Sequence, residues 1–157
     1  MFAMTHTLLD FLMDPNWYLD SGATNHYTLD LFNLSNKTDF HGSDNIYMVN
    51  GESLAISHIG SSSFSTICSN KPCLQLINML HVPRLTKNLI SVSKFTADND
   101  VFFEFHPNIC FVKDQQSETI KLQGSLKNGL YTFGTKPLAK QMWRFRTGSH
   151  YVDNVQL

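Results

Sequence analysis

Short apolar runs separated by polar turn residues dominate the chain, and this pattern predicts an all-β protein. Most runs are three to five residues long, and some alternate apolar with polar positions as in a half-buried strand. Glycine, asparagine and proline lie between the runs, as is typical of tight turns. The predicted strands are residues 17–19, 46–49, 54–56, 63–67, 74–77, 101–105, 109–112, 120–122 and 130–133.

Three of the turns predict hairpins. Asn50-Gly51 and Asn128-Gly129 each lie between two apolar runs, and Asn-Gly tolerates the positive φ angles of a two-residue hairpin turn. His106-Pro107-Asn108 separates the runs 101–105 and 109–112 in the same way.

One segment has helical rather than β periodicity. Leu89, Val92 and Phe95 recur at helical spacing, which predicts a short helix over residues 89–98. Many short strands with one helix favour a small closed or partly open β-barrel, or a sandwich.

Composition narrows the class of protein. The 157 residues correspond to one ordinary domain, and 42% hydrophobic with 16% charged residues suits a packed core. The net charge of −1 provides no basic field for a polyphosphate. Nucleic acid is therefore an unlikely partner.

Cofactors, metals and membranes are not indicated. The three cysteines, Cys68, Cys73 and Cys110, form no C-x-x-C pair, and the seven histidines are scattered singly. This pattern predicts neither a disulfide framework nor a zinc site. The opening residues lack a basic stretch before an apolar run, and no apolar run is long enough for a membrane span. We therefore expect an intracellular, cytoplasmic chain.

The stretch L-D-S-G-A, residues 19–23, carries the candidate chemistry. An apolar strand ending at Asp20 buries its body and presents a carboxylate at its tip. Gly22 permits a tight turn, and the hydroxyl of Ser21 can fix the loop. The alternative is that Asp20 caps an ordinary turn, since Asp-Ser-Gly is common turn chemistry.

Two such loops facing each other form a catalytic pair. Two adjacent carboxylates cannot both ionise, so they share one proton. The ionised partner takes a proton from water while the other donates to the carbonyl under attack, which hydrolyses a peptide bond. The chain has one such loop, so the second must come from another copy in a symmetric homodimer.

Four blocks of sequence resemble one family. The chain is similar to the protease region of Pol polyproteins from copia-type LTR retrotransposons, particularly those of plants, and the similarity runs into the segment before the integrase. The blocks are W-Y-L-D-S-G-A-T-N-H (17–26), L-H-V-P-R-L-T-K-N-L-I-S-V-S-K-F (80–95), F-F-E-F-H-P-N-I-C-F-V-K-D (102–114) and L-Q-G-S-L-K-N-G-L-Y-T-F (122–133).

The resemblance implies a retropepsin-like barrel that dimerises and cleaves the polyprotein of its own element. Asp20, Ser21 and Gly22 would form the catalytic triplet. The substrate peptide would contact Ala23 and, at the tip of a flap hairpin, Asn50 and Gly51. Residues 88–91 would be the strand that braces the Asp loop.

The resemblance also implies a division of the chain. We expect a short N-terminal extension over residues 1–16 and the barrel domain over 17–115. A hairpin over 116–134 would open the pre-integrase region, and a basic, frayed tail would cover 135–157.

Three departures from the family pattern leave a second hypothesis open. Val49 stands where the family usually has glycine in the hairpin, and Ser91 stands where retropepsins have glycine after the bracing strand. Residues 143–149 keep a tryptophan but lack the two histidines of the integrase zinc module. The alternative is therefore an inactive β-barrel fragment with a structural or protein-binding role. A nucleic-acid-binding integrase piece, which only the basic tail favours, is a weaker third possibility.

Overall fold

The fold is described from a computed structural model, which covers residues 14–66 and 74–134 in full and the backbone of two later strands. These residues form, in chain order, β1 (Trp17–Asp20), β2 (Tyr27–Thr28), a 3-10 turn (Leu31–Asn33), β3 (Ser35–Asp39), β4 (Asn45–Tyr47), β5 (Ser53–Ala55), β6 (His58–Phe64), β7 (Leu74–His81), β8 (Asn88–Ser91), α1 (Val92–Asn99), β9 (Val101–Phe105), β10 (Ile109–Asp114), β11 (Ile120–Lys127), β12 (Leu130–Phe133), β13 (Gln141–Thr147) and β14 (His150–Gln156).

Ten of the strands form one sheet, in the order β3-β6-β7-β2-β8-β1-β12-β11-β10-β9. β1 runs parallel to β8, and β2 runs parallel to β7, whereas the other neighbours are antiparallel. The sheet does not close on itself, because β3 and β9 remain its edges. The predicted all-β, partly open barrel is thus confirmed.

The three predicted hairpins are confirmed by strand pairing. β4 pairs with β5 as a small separate sheet, β9 pairs with β10, and β11 pairs with β12. Gly51 and Gly129 both have positive φ angles, of 84° and 80°, as the Asn-Gly turns require.

The core lies where the sheet curls over α1. Trp17 meets Phe64 edge to face with ring centroids 5.7 Å apart, and Phe64 in turn contacts Phe133 at 6.1 Å. The buried core residues are Trp17, Leu34, Phe64, Leu74, Leu76, Met79, Ile90, Phe95, Val101, Cys110, Val112, Leu122 and Phe133. Among the described helices, none is long and apolar enough to cross a membrane.

The predicted helix begins later than expected. Residues 88–91 form β8, and α1 starts at Val92 after Ser91 caps it. Leu89 and Ile90 fit either the helical or the strand periodicity. Their pairing with β1 satisfies the backbone hydrogen-bonding groups of both segments, so these residues form a strand. The prediction that residues 88–91 brace the Asp20 strand is therefore confirmed, and the helical start at Leu89 was wrong.

Two further strands lie in the predicted tail, residues 135–157. β13 and β14 pair with each other from Gln141↔Gln156 to Thr147↔His150. The predicted domain boundaries stay a prediction, although β12 extends the main sheet and pairs with β1. Residues 1–13, 67–73, 135–140, 148–149 and 157 lie outside the described residues, and the predictions for Cys68 and Cys73 fall there.

Candidate active site at the Asp20 loop

β1 delivers Asp20 to the end of a buried strand. Trp17 and Tyr18 are 3% and 6% exposed, whereas Asp20 is half-buried. β8 pairs along the whole of β1, with Asp20 opposite Ser91, and β12 covers the other edge at Trp17 and Tyr18. The strand is therefore held on both edges while its last side chain reaches the surface.

Residues 20–26, called the Asp20 loop below, turn sharply after this strand. The backbone N–H of Gly22 donates to Asp20 Oδ1 at 2.8 Å. A Cβ atom at Gly22 would lie 3.3 Å from that same oxygen, so glycine allows the close approach. Asp20 Oδ2 has no hydrogen-bond or ion-pair partner among the described residues, which leaves it available for chemistry.

Ser91 holds the Asp20 loop in place through a buried hydrogen bond. Its side chain is fully buried, and its Oγ donates to the backbone oxygen of Ala23 at 2.6 Å. The same Oγ accepts from the backbone N–H of Lys94 at 3.3 Å and so caps α1. Glycine at position 91 would lose both bonds. The departure from the family pattern thus has a structural role here.

His26 is a further residue of this site that the sequence pattern did not predict. The backbone N–H of Ser91 donates to His26 Nδ1 at 3.1 Å, and the ring of Phe95 meets the imidazole edge to face at 6.2 Å. His26 is fully buried, and Nε2 has no hydrogen-bond partner among the described residues. Its position in the same motif as Asp20 was the available signal.

Burial controls the charge of His26. Desolvation, followed by the repulsion of Lys94, lowers the pKa of this imidazole to about 4. The ring is therefore neutral near pH 7, with Nδ1 as acceptor and the hydrogen on Nε2. A neutral ring in this place anchors the bracing strand without adding charge to the Asp20 loop.

A cleft of about 700 Å³ opens beside the loop. Thr24 and Asn25 of the Asp20 loop form one wall, and apolar side chains of the sheet, including Ile59 and Leu80, form another. Tyr47 lines it from the β4–β5 hairpin. This half-open space, lined by both polar and apolar side chains, has room for the side chain of a peptide.

The β4–β5 hairpin, residues 45–55, projects its tip into solvent. Tyr47 is 76% exposed and Val49 is fully exposed. Asn50 shapes the turn by accepting a hydrogen bond from the backbone of Glu52 at 2.9 Å. Asn50 and Gly51 lie at the tip and do not line the cleft in this structure, so their predicted contact with substrate stays a prediction.

Comparison with known proteins gives the family. A family model described as "Pol polyprotein, beta-barrel domain" matches residues 17–101, more than half of the chain. The chain belongs to this family. The predicted resemblance to the Pol region of copia-type retrotransposons is thereby confirmed.

Two plant polyproteins are similar to this member of the Pol beta-barrel family. They are the retrovirus-related Pol polyproteins from transposons RE1 and RE2 of Arabidopsis thaliana, 45% and 41% identical over 116 residues. The alignments cover 74% of this chain but 8% of each polyprotein, so the chain spans a small part of the relatives it matches. No solved structure matches it.

Proposed function

We propose that this Pol beta-barrel chain is an aspartic endopeptidase domain, with the Asp20 carboxylate as its catalytic group. The observation that carries the proposal is the placement of Asp20. The carboxylate ends a strand held on both edges and has one oxygen without a partner among the described residues. Asp20 itself does not line the cleft, but Thr24 and Asn25 of the same loop do.

The reaction follows from pairing two such loops. Asp20 of a second copy would face the first, and the two carboxylates would share one proton. One carboxylate would take a proton from the attacking water while the other donates a proton to the carbonyl oxygen of the peptide. Ser21 and Gly22, both exposed beside Asp20, would hold the loop in the geometry that the pair requires.

The partners of this activity are a second copy and a polyprotein peptide. The homodimer supplies the second carboxylate, because a two-fold axis brings identical loops together. The cleft beside Ile59 and Leu80 would take an apolar side chain of the substrate. Ala23 would contact the peptide backbone from the loop, and Asn50 and Gly51 would do so from the hairpin tip.

One observation favours the second candidate function, an inactive structural or protein-binding module. The bond from the Gly22 N–H to Asp20 Oδ1 is what an ordinary turn-capping aspartate makes. In that case the Asp20 loop has only a structural role, and removing its charge has no effect on peptide cleavage.

Peptide cleavage separates the two candidates. The full chain would be incubated with a fluorescence-quenched peptide library that has apolar residues around the central bond, between pH 4 and 7. We expect Asp20→Asn to abolish cleavage. Asp100→Asn is the matched control, because Asp100 is exposed and has a left-handed conformation that asparagine tolerates. Equal rates for wild type and Asp20→Asn would exclude the enzyme.

A further inference from the structure

Three polar side chains meet at the base of the β4–β5 hairpin, away from Asp20. His58 of β6 lies directly opposite His81 of β7 in the antiparallel pair. Ser57 Oγ lies 2.9 Å from His58 Nδ1 and 2.6 Å from His81 Nδ1, and the two Nδ1 atoms are 3.2 Å apart. We call these three side chains the His58–His81 cluster.

The second ring nitrogen of His58 has an acceptor of its own, because His58 Nε2 lies 3.3 Å from Asp39 Oδ1. A histidine that donates its outer N–H to a carboxylate or a backbone carbonyl turns the lone pair of its other nitrogen inward. This outer bonding is the usual second shell of a metal-binding histidine.

The Ser57 hydroxyl carries one proton and can donate it to only one of the two Nδ1 atoms. When both rings carry their hydrogen on Nε2, the close N···N contact holds two acceptors with no proton between them. Two nitrogens bound to a tetrahedral zinc ion at about 2.0–2.1 Å lie about 3.3–3.4 Å apart. The observed 3.2 Å separation is close to that value.

We propose that the His58–His81 cluster is a binding site for a divalent transition-metal ion of the zinc class. His58 Nδ1 and His81 Nδ1 are the nitrogen ligands, and water completes the shell. Imidazole ligands favour zinc, copper or nickel over magnesium and calcium.

The site is open and therefore weaker than a closed structural zinc site. The described part of the chain contains no group of three or more His, Cys, Asp or Glu side chains arranged for a metal. The negative charges of Asp39 and Asp30 favour a cation there, and Lys37 opposes it. Because His58 is partly exposed and His81 is 7% exposed, an ion reaches the cluster from one side.

Residue spacing gives no indication of this site, because the two histidines are 23 residues apart in the sequence. Strand register, not sequence spacing, brings them together. The same register ties the two ends of the hairpin, since the Phe40 N–H donates to the Ser57 oxygen at 3.0 Å and the Ser57 N–H donates to the His81 oxygen at 2.9 Å. A bound ion would thus stabilise the base of the β4–β5 hairpin.

Calorimetric titration of the full chain with zinc chloride tests this site. We expect one ion per chain and a rise in melting temperature on binding. His58→Gln and His81→Gln should each weaken binding at least tenfold, and Asp39→Asn should weaken it about tenfold through the outer shell. His41→Gln is the matched control, since His41 is exposed and outside the cluster.

The variants share all other zinc-binding side chains, including the cysteines, so background binding cancels between them. His58→Gln is the deciding variant, because His58 is less buried than His81 and its loss disturbs the fold less. Nitrogen NMR of the imidazoles should show both Nδ1 atoms shifting with zinc. Equal zinc affinity for wild type and His58→Gln, or an equal loss in His41→Gln, would overturn the proposal.

Discussion

The Asp20 loop and the β4–β5 hairpin flank the same cleft, but they are held in different ways. Two fully buried side chains, Ser91 and His26, fasten the bracing strand and the loop through bonds of 2.6 and 3.1 Å. The hairpin is a separate sheet of two three-residue strands, with Leu54 as its buried contact and an exposed tip. The loop is thus fixed, and the hairpin has few interactions that hold it.

This difference is the one that the proposed peptide-cleaving site would require. A catalytic carboxylate must be placed accurately, and buried hydrogen bonds do this. An element that covers a substrate must open, and such elements have low local stability. The ion pair between Glu52 of the hairpin and Arg84 is largely exposed, so it adds little to the hold on the tip.

The largest effect should come from the core beneath the loop. Phe95 is fully buried and contacts the His26 ring, so Phe95→Ala removes the support of both α1 and the loop. We expect the free energy of unfolding to fall by about 3–5 kcal/mol. Urea denaturation measures it, and a loss below 1 kcal/mol would show that the loop does not depend on this core.

Acid should weaken the loop through His26. The unfolded imidazole takes up a proton near pH 6.5, whereas the folded one does so only near pH 4. The stabilisation that the neutral His26 ring provides is therefore complete above pH 6.5 and is lost as the pH falls to about 4. The free energy of unfolding decreases by roughly 3 kcal/mol over this range.

Urea denaturation at pH 7.5 and pH 4 checks this pH dependence. His26→Gln should be less stable at pH 7.5 and should lose this part of the pH dependence. The control His41→Gln, at an exposed position, should keep it. If His26→Gln keeps the full wild-type dependence of the unfolding free energy on pH, His26 is not the group responsible.

A smaller effect is expected at Ser91. Ser91→Ala removes the cap of α1 and leaves the backbone oxygen of Ala23 without its partner. We expect a loss of about 2 kcal/mol in unfolding free energy and faster amide hydrogen exchange in residues 21–23. Ser43→Ala, at an exposed position, should leave both unchanged. Unaltered exchange in Ser91→Ala would show that the bond does not fasten the loop.

The smallest effect is expected at the hairpin tip. Val49 is fully exposed, so Val49→Ser should change the unfolding free energy by less than about 0.5 kcal/mol. Thermal denaturation checks this. A change as large as that of Ser91→Ala would mean that the hairpin and the loop are held equally firmly.

Local features of the fold were predictable from the sequence, and features that depend on strand register were not. The Asn-Gly turns and the Asp20 loop depend on neighbouring residues, so the pattern alone indicated them. The bond from Ser91 to Ala23 joins residues 68 positions apart, and that from Ser91 to His26 joins residues 65 apart. No local pattern specifies such pairs, and Leu89 was assigned to the helix for the same reason.

The proposed pairing of two Asp20 carboxylates is the central claim, and mixing copies tests it most directly. Wild-type and Asp20→Asn chains would be mixed in varied proportion at constant total concentration, and the rate of peptide cleavage measured. If each active site needs Asp20 from both copies, the rate falls with the square of the wild-type fraction. A linear fall, or cleavage that does not depend on Asp20, would contradict the account.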